Sequence, residues 1–431
     1  MKMADLIRLI SINCGSSSIK FSILEFFGGK DTIHLKKCEI QQKLLNLKRT
    51  LTCKIEEIGT EYGSFYVEDK NHRESTSINF DNHETAINYI LEKNNLFQND
   101  ENNNNRLSID IVAHRYVHGG KDFKKPLIIS DKHIKKLRTL NGLAPLHNPS
   151  NLKGLEIMRH VFPKSRHVCI FDTAFHRTIP LHARLYPLPI YFYDKYDIQK
   201  FGFHGISYTF INNLLSLDRK NFKKLIICHI GNGASICAIK AGKSIDTSMG
   251  YTPLEGLMMG TRCGSIDPEI PFILKEKLNA TDDVILDILN RKSGLLGISK
   301  RTYDFKELSE RDDKYSKLAL KMFSYRIMKF IGQYAASLDG IDALVFTGGI
   351  GENSGTLRKE VCKNLSYAGV KINNKKNTEA AEYFQKFNPY GRLNIRNSIK
   401  SIESGKIPVF AIHTDEELQM AFEAALTAAD A

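Results

Sequence analysis

Residues 225–268 read LIICHIGNGASICAIKAGKSIDTSMGYTPLEGLMMGTRCGSIDP, and the reading of the fold starts from them. Leu225 to Cys228 is an apolar, β-prone run that breaks into His229-Ile230-Gly231-Asn232-Gly233. A buried strand ending in a Gly/Asn turn presents backbone N–H groups at its tip, and such groups bind phosphate oxygens. A second strand, the turn Ala241-Gly242-Lys243 and the hydroxyls of Thr247 and Ser248 follow. Arg262 sits between Gly260 and Gly264. The backbone can bend around it there and leave a planar five-donor fork for carboxylate or phosphate oxygens. Taken alone, the stretch reads equally well as two glycine-rich turns with no ligand.

The rest of the chain decides between these readings. Five apolar runs behave alike. Ile109–Ala113 ends in His114-Arg115, followed by His118-Gly119-Gly120, and His167–Phe171 ends in Asp172. Leu225–Cys228 ends in His229, and Ala343–Phe346 ends in Thr347-Gly348-Gly349-Ile350-Gly351-Glu352-Asn353. Val409–Ile412 ends in His413-Thr414-Asp415-Glu416. In open α/β sheets, ligands bind beyond the carboxyl ends of the strands. The pattern predicts an α/β fold with a cleft lined from many strands. Near the start, Ile7–Ile12, the hydroxyl turn Asn13-Cys14-Gly15-Ser16-Ser17-Ser18 and Ile19–Ile23 repeat the strand–turn–strand order of the opening stretch. This echo predicts two related domains with a cleft between them. Lys20 can reach back to the turn, but GxxxxGK[ST] spacing is absent, so this is no P-loop. His147, in a Pro-framed loop, and His204, between glycines, are candidates for binding charged oxygen.

Composition narrows the class. A chain of 431 residues suggests two or three domains. No apolar run reaches the ~18–20 residues of a membrane span, and the N-terminus lacks the features of a signal peptide. The eight cysteines form no CxxC pair, which predicts reduced thiols in a cytoplasmic protein and neither a disulfide framework nor a zinc site. The net charge of +13 comes from scattered lysines without interleaved aromatics. It reads as a solvated basic surface, with no nucleic-acid or membrane partner. Residues 315–338 carry a helical stripe that includes Phe323, Ile327 and Ile331, and 416–428 read as a closing helix. The asparagine-rich run 94–105 reads as a solvated loop, and 373–400 as a surface excursion.

Together the segments NCGSSSIKF, AHRYVHGG, LAPLHNP, FDTAFH, GFHG, HIGNGAS, DTSMGYTPLEGLMMGTRCGSIDP, SGLLGIS, FTGGIGENS and TDEEL span nearly the whole chain. In this order the chain resembles the acetokinase family of acetate and propionate kinases. The resemblance implies the duplicated fold of the acetate/sugar kinase, heat-shock ATPase and actin superfamily, with the active site between the domains. It implies a first domain over 1–172 joined by the closing helix 417–431, and a second over 173–416 that binds nucleotide and forms a homodimer. It implies reversible transfer of a phosphoryl group from ATP, with Mg²⁺ or Mn²⁺, to acetate. By motif position Asn13 and Glu416 place the metal, and Ser16, Ser18 and Lys20 lie at the phosphates. Arg115 and Arg262 flank the carboxylate and the phosphoryl group, Asp172 is the acidic catalytic residue, and His204 stabilises the phosphoryl with His147 nearby. His229, Ile230, Gly231, Asn232, Gly233, Asp304, Phe305, Lys306, Gly349, Ile350, Gly351, Glu352 and Asn353 contact nucleotide. Val117, Leu146, Phe203 and Pro253 line the acyl pocket. This set suits a phosphoryl transfer, which needs positioning and charge neutralisation more than covalent help.

Against the family pattern, Lys306 stands in place of arginine, Ser265 of aspartate, Asp415 of asparagine and Tyr208 of histidine. The apolar acyl pocket, with branched Val117, leads to the expectation of acetate preferred over propionate, and butyrate poor. Other readings stay open. One is a propionate kinase of the same family. Another is a non-catalytic or chaperone-like ATPase, which leaves Arg115, Arg262 and His204 idle. A dehydrogenase is suggested only by Gly348-Gly349-Ile350-Gly351, which lacks GxGxxG spacing.

Overall fold

The computed structural model describes residues 6–27, 46–94, 96, 108–218 and 222–430. Apart from Asn94 and Leu96, the asparagine-rich run 94–105 lies outside them. The first strands are β1 (Leu6–Cys14), β2 (Ile19–Phe27), β3 (Leu47–Glu56), β4 (Ser64–Asp69), β5 (Arg73–Ser77), β6 (Ile111–Tyr116), β7 (Leu127–Ile128) and β8 (Arg166–Phe171). Then follow β9 (Lys224–Ile230), β10 (Ala234–Lys240), β11 (Lys243–Thr247), β12 (Ala343–Thr347), β13 (Gly391–Arg392), β14 (Ile399–Ser401) and β15 (Val409–Ile412).

They form two sheets, ordered β5-β4-β3-β2-β1-β6-β8-β7, with β13 on β3, and β11-β10-β9-β12-β15-β14. The run β3-β2-β1-β6-β8-β7 and the whole second sheet share one plan. In both, successive pairs are antiparallel, antiparallel, parallel, parallel and antiparallel. The echo between the two strand–turn–strand segments therefore extends to six strands in each sheet.

The apolar runs are continuous because both faces of these strands are covered. On β9, Ile226, Cys228 and Ile230 pack into one core with Phe323, Ile327 and Ile331 of the long helix Lys314–Ser337. Leu225 and Ile227 point the other way, into a core shared with Leu9, Ala113 and Ile170 of the first sheet. Two helices fill that shared layer. Gly205–Leu217 supplies Ile206, Phe210, Ile211 and Leu214, and the closing helix Glu416–Ala429 supplies Leu418, Phe422 and Ala425. Burying each such large side chain contributes about 1.5–3 kcal/mol. The closing helix packs on β1, β6 and β8, so the C-terminal segment returns to the first sheet.

Two local expectations need correction. The polar strand ends are longer than the apolar runs: β6 continues through His114 and Arg115, and β9 through His229. Pairing with the parallel neighbour carries them on, with Arg115 opposite Ile170 and His229 opposite Thr347. Residues 373–400 are also more than a surface excursion. Helix Asn374–Gln385 buries Asn377, Ala380, Ala381 and Phe384, and Ala380 and Phe384 join the core of the second sheet. Its apolar positions are few, so its polarity masked a buried stripe.

Candidate active site

Arg115 near the end of β6 and Asp172 just after β8 meet because these strands are parallel neighbours. The Arg115 fork donates to both carboxylate oxygens, Nε to Oδ1 at 3.1 Å and a terminal nitrogen to Oδ2 at 2.6 Å. Asp172 is 1% exposed, so its carboxylate is committed to this pair. Burial pushes its carboxyl upward, against the pull of Arg115. The remaining terminal nitrogen of Arg115 lies 3.7 Å from Glu416, at the first position of the closing helix. Burial alone would raise the Glu416 carboxyl; Arg115, His229 and Lys20 outweigh it and hold it below the usual range.

Arg262 is placed differently. Its terminal nitrogen reaches only the Pro253 carbonyl at 3.5 Å and Met259 Sδ at 3.8 Å. Among the described residues it forms no ion pair. A guanidinium stays charged in a protein, so Arg262 is a partly buried cation with no carboxylate partner among the described residues. Its loop is held by close approaches. A side chain at Gly260 would drive its first carbon to 1.8 Å from Asn232 Oδ1, and Gly264 needs a φ of +71°. The Gly260 N–H donates to the Asn232 carbonyl at 3.0 Å. This fixes the Arg262 loop to the β9–β10 turn.

His204 caps helix Gly205–Leu217 from a left-handed φ of +58°. Its ring stacks on His229 with centroids 4.3 Å apart. Burial, then the nearby charge of His229, Arg115 and Arg262, keeps its imidazole neutral. A first side-chain carbon at Gly233 would lie 3.6 Å from His204 Nε2 and 3.8 Å from an Arg262 nitrogen. The two side chains thus converge on the β9–β10 turn. His147 joins them electrostatically: burial and the fields of Arg262 and Arg115 lower it to about 3.

A cavity of about 370 Å³ opens beside His147 and Arg262. Leu143, Ala144, Leu146, Pro253 and Leu254 give it an apolar wall, and Thr252 lines it too. Val117 and Phe203 do not line it. They are buried in the same core cluster as Ala144.

A second, wider cavity of about 1090 Å³ brings Asp304, Phe305 and Lys306 together with Gly349, Ile350 and Asn353. Gly348, with φ +79°, lets this loop pass against Ile230, where a side chain would meet backbone at 2.9 Å. Glu352 is turned inward instead. It accepts from the backbone of Gly348 at 2.8 Å and Thr414 at 3.0 Å, and pairs with His413 at 2.9 Å.

At the tip of β1 the turn closes through Gly15 N–H to the Ser18 carbonyl at 2.7 Å, leaving Ser16 and Lys20 exposed. Asn13 is the cross-strand partner of Lys20. Asn13 and Glu416 together offer one amide oxygen and one carboxylate. A Mg²⁺ that arrives with nucleotide takes one or two carboxylates besides phosphate oxygens and water, so this donor set fits it. Among the described residues no group of three His, Cys, Asp or Glu side chains is placed to hold an ion as a dedicated cage.

Several residues were missed from sequence. Arg49 on β3 is 6% exposed and bonds Asp415, with Glu417 at 3.7 Å. Asp415 also caps the closing helix by accepting from the Leu418 N–H at 2.9 Å. A lone arginine on a strand carries no signal for this. Asn151 ties β1 to β6, donating to the Cys14 carbonyl at 2.6 Å and accepting from the Val117 N–H at 2.9 Å. Helix Asn374–Gln385 supplies the far wall of the wide cavity through Asn374, Asn377, Thr378 and Gln385.

Comparison with known proteins gives matches over nearly the whole chain. The family model described as Acetokinase family matches residues 8–422. An acetate kinase of Carboxydothermus hydrogenoformans is 41% identical over 426 residues, 96% of this chain and 98% of its own. A propionate kinase structure from Francisella tularensis superposes with a TM-score of 0.81 at 33% identity, covering 97% of this chain and 99% of its own. A Porphyromonas gingivalis acetate kinase structure gives 0.78 at 33% identity, covering 98% and 100%.

Proposed function

The chain belongs to the acetokinase family, and we propose that it transfers the γ-phosphoryl group of ATP to acetate, reversibly and by direct in-line displacement, giving acetyl phosphate and ADP. The observation that carries this reading is the unpaired Arg262 guanidinium beside His204 and His147, next to an apolar cavity. Acetate is ionised near pH 7, so no general base is required. Asp172 therefore acts as a positioning residue that holds Arg115, and Arg115 and Arg262 receive the carboxylate and the phosphoryl group. Preorganised cations and dipoles at the position of developing charge are the main source of rate in such a transfer. The apolar wall takes the methyl group, with Val117 and Phe203 behind it.

ATP is read into the wide cavity, against Asp304–Lys306 and Gly349–Asn353, with its phosphates toward the β9–β10 turn, Ser16, Ser18 and Lys20. Asn13 and Glu416 are the residues that would hold Mg²⁺, which when bound neutralises phosphate charge.

We read the protein as two domains, 1–172 with the closing helix and 173–416. We also read it as a homodimer, because exposed Leu188, Ile190, Tyr191, Phe272 and Ile273 crowd two stretches of the region 173–416. A cytoplasmic location fits the free thiols of seven described cysteines, six of them buried. Propionate is the expected second substrate, since the cavity exceeds what a methyl group fills. The test is a coupled assay of ADP formation with acetate, propionate and butyrate. ATP hydrolysis indifferent to all three would refute the kinase reading in favour of a plain ATPase.

A further inference from the structure

Among the described residues no carboxylate bonds the His204 imidazole, although Asp172 holds its backbone; a chain of two hydroxyls reaches the ring. His204 Nδ1 lies 2.8 Å from Ser235 Oγ, and Ser235 Oγ lies 2.5 Å from the Tyr208 hydroxyl. Ser235 and Tyr208 are fully buried. Beyond these two contacts, neither hydroxyl has a hydrogen-bond partner among the described residues. Tyr208 is one turn into the helix that His204 caps, and Ser235 stands on β10 opposite His229. The chain therefore runs from the helix, through the sheet, to the imidazole.

Three proton arrangements connect these atoms. In the first, Tyr208 donates to Ser235, Ser235 donates to Nδ1, and the imidazole proton is on Nε2. In the second, Nδ1–H donates to Ser235 and Ser235 donates to Tyr208. The phenol proton is then left with no acceptor among the described residues. In the third, both neighbours donate to Ser235 and the serine proton is orphaned. A buried donor without an acceptor bears its full desolvation cost. Ionising the phenol is no escape, because burial raises its pKa well above the ordinary value. Only the first arrangement gives both buried hydroxyl protons an acceptor.

We infer that Tyr208 and Ser235 hold His204 as its Nε2–H tautomer, so that a neutral imidazole donates from Nε2 to the phosphoryl group in transfer. This rests on the reading of His204 as a phosphoryl-facing residue. Nε2 has no partner among the described residues and faces the β9–β10 turn near Arg262. The opposite tautomer would turn a lone pair toward the phosphoryl oxygens. Stacking on His229, itself tied through Nδ1 to Ser207 at 2.8 Å, keeps the ring plane fixed. Tyr208 and Ser235 are positioning residues: they never touch substrate and act through His204.

The direct test is ¹⁵N NMR of the full-length protein labelled at histidine. The His204 signals are identified by their loss in His204→Gln. A protonated Nε2 with a bare Nδ1 is expected; a protonated Nδ1 overturns the inference. Kinetics give a second reading. Ser235→Ala should lower kcat roughly 10- to 100-fold, less than the ~10²–10³ for losing a preorganised donor outright. Tyr208→Phe, which keeps the ring volume, should lower it less. KM for acetate and ATP should stay unchanged, and the double variant should be no slower than Ser235→Ala, because both act through one bond. Unchanged kcat in folded Ser235→Ala, or in Tyr208→Phe if the serine variant does not fold, rejects the relay. If the unmodified protein shows no acetate-dependent turnover while NMR finds Nε2–H, the functional reading fails and the tautomer assignment stands.

Discussion

The two cavities are built on opposite plans. Around Arg262 the space is small, about 370 Å³, with an apolar wall on one side and Asp283, Asp287 and Arg291 also lining it, and several polar groups near Arg262 are held by a second residue. Asp172 fixes Arg115, Ser235 fixes His204, and the Asn232–Gly260 contact fixes the Arg262 loop. Around Lys306 the space is about 1090 Å³ and its rim is exposed and polar, drawn from three separate segments. Rigid geometry is concentrated where charge would move, and loose geometry where a large, flexible molecule would be gripped by many weak contacts. Enzymes gain most from preorganisation at the reacting centre, whereas remote contacts contribute mainly to binding.

Four substitutions sharpen or break this contrast. The largest effect belongs to the rigid end. Arg262→Ala should lower kcat at least ~10²-fold with the fold intact. Near-normal kcat in that variant, checked by circular dichroism, would remove Arg262 from the reaction.

Next is Glu352, which belongs to the wide-cavity loop by sequence but to the rigid scaffold by contact. Removing one partner of a buried charge pair costs about 3–5 kcal/mol, so Glu352→Ala should lower stability by roughly that amount. Denaturant unfolding measures it. A stable variant with weakened ATP binding would return Glu352 to the nucleotide contacts. The pH dependence has a definite sign. Burial opposes the charge on His413, but Glu352 holds its pKa above the ordinary 6.5, so this contribution is full below 6.5 and fades as pH rises through the elevated value. Burial likewise opposes the charge on Glu352, but His413 and two backbone N–H groups hold its pKa below 4.5, so its contribution fades in acid. The stability difference between the unmodified protein and Glu352→Ala should therefore be greatest between those limits.

Third, Val117→Ala should shift kcat/KM toward propionate over acetate, by no more than the ~1–3 kcal/mol that one methylene is worth in an apolar pocket. No shift would leave Val117 as core packing alone. The smallest effect lies at the loose end. Lys306 is exposed, and an exposed charge contributes roughly 0–1 kcal/mol. Lys306→Ala should therefore raise KM for ATP at most about fivefold, with modest discrimination between ATP and GTP in the unmodified protein. A much larger loss would mean that the wide cavity is as precisely built as the narrow one.

The sequence by itself determined a great deal. Apolar runs ending in His, Asp, Gly and Arg announced parallel strands with a cleft beyond their tips, because strands covered on both faces must read as unbroken hydrophobic stretches. Two strand–turn–strand echoes announced the duplication. Glycines beside Arg262 and before Gly349 marked positions where only a hydrogen atom fits. What sequence did not reveal was pairing. Arg115 and Arg262 look alike in the chain, yet only Arg115 is neutralised by a carboxylate, because β6 and β8 lie side by side. Asp415 stands beside Glu416 in the chain but is bound to Arg49, 366 positions away. Helix Asn374–Gln385 reads as surface and forms a wall of the wide cavity. Residue type and local spacing set what a side chain can do. Whether it is free to do so depends on desolvation and on the partner across the packed interface, and strand register and helix packing alone bring that partner there.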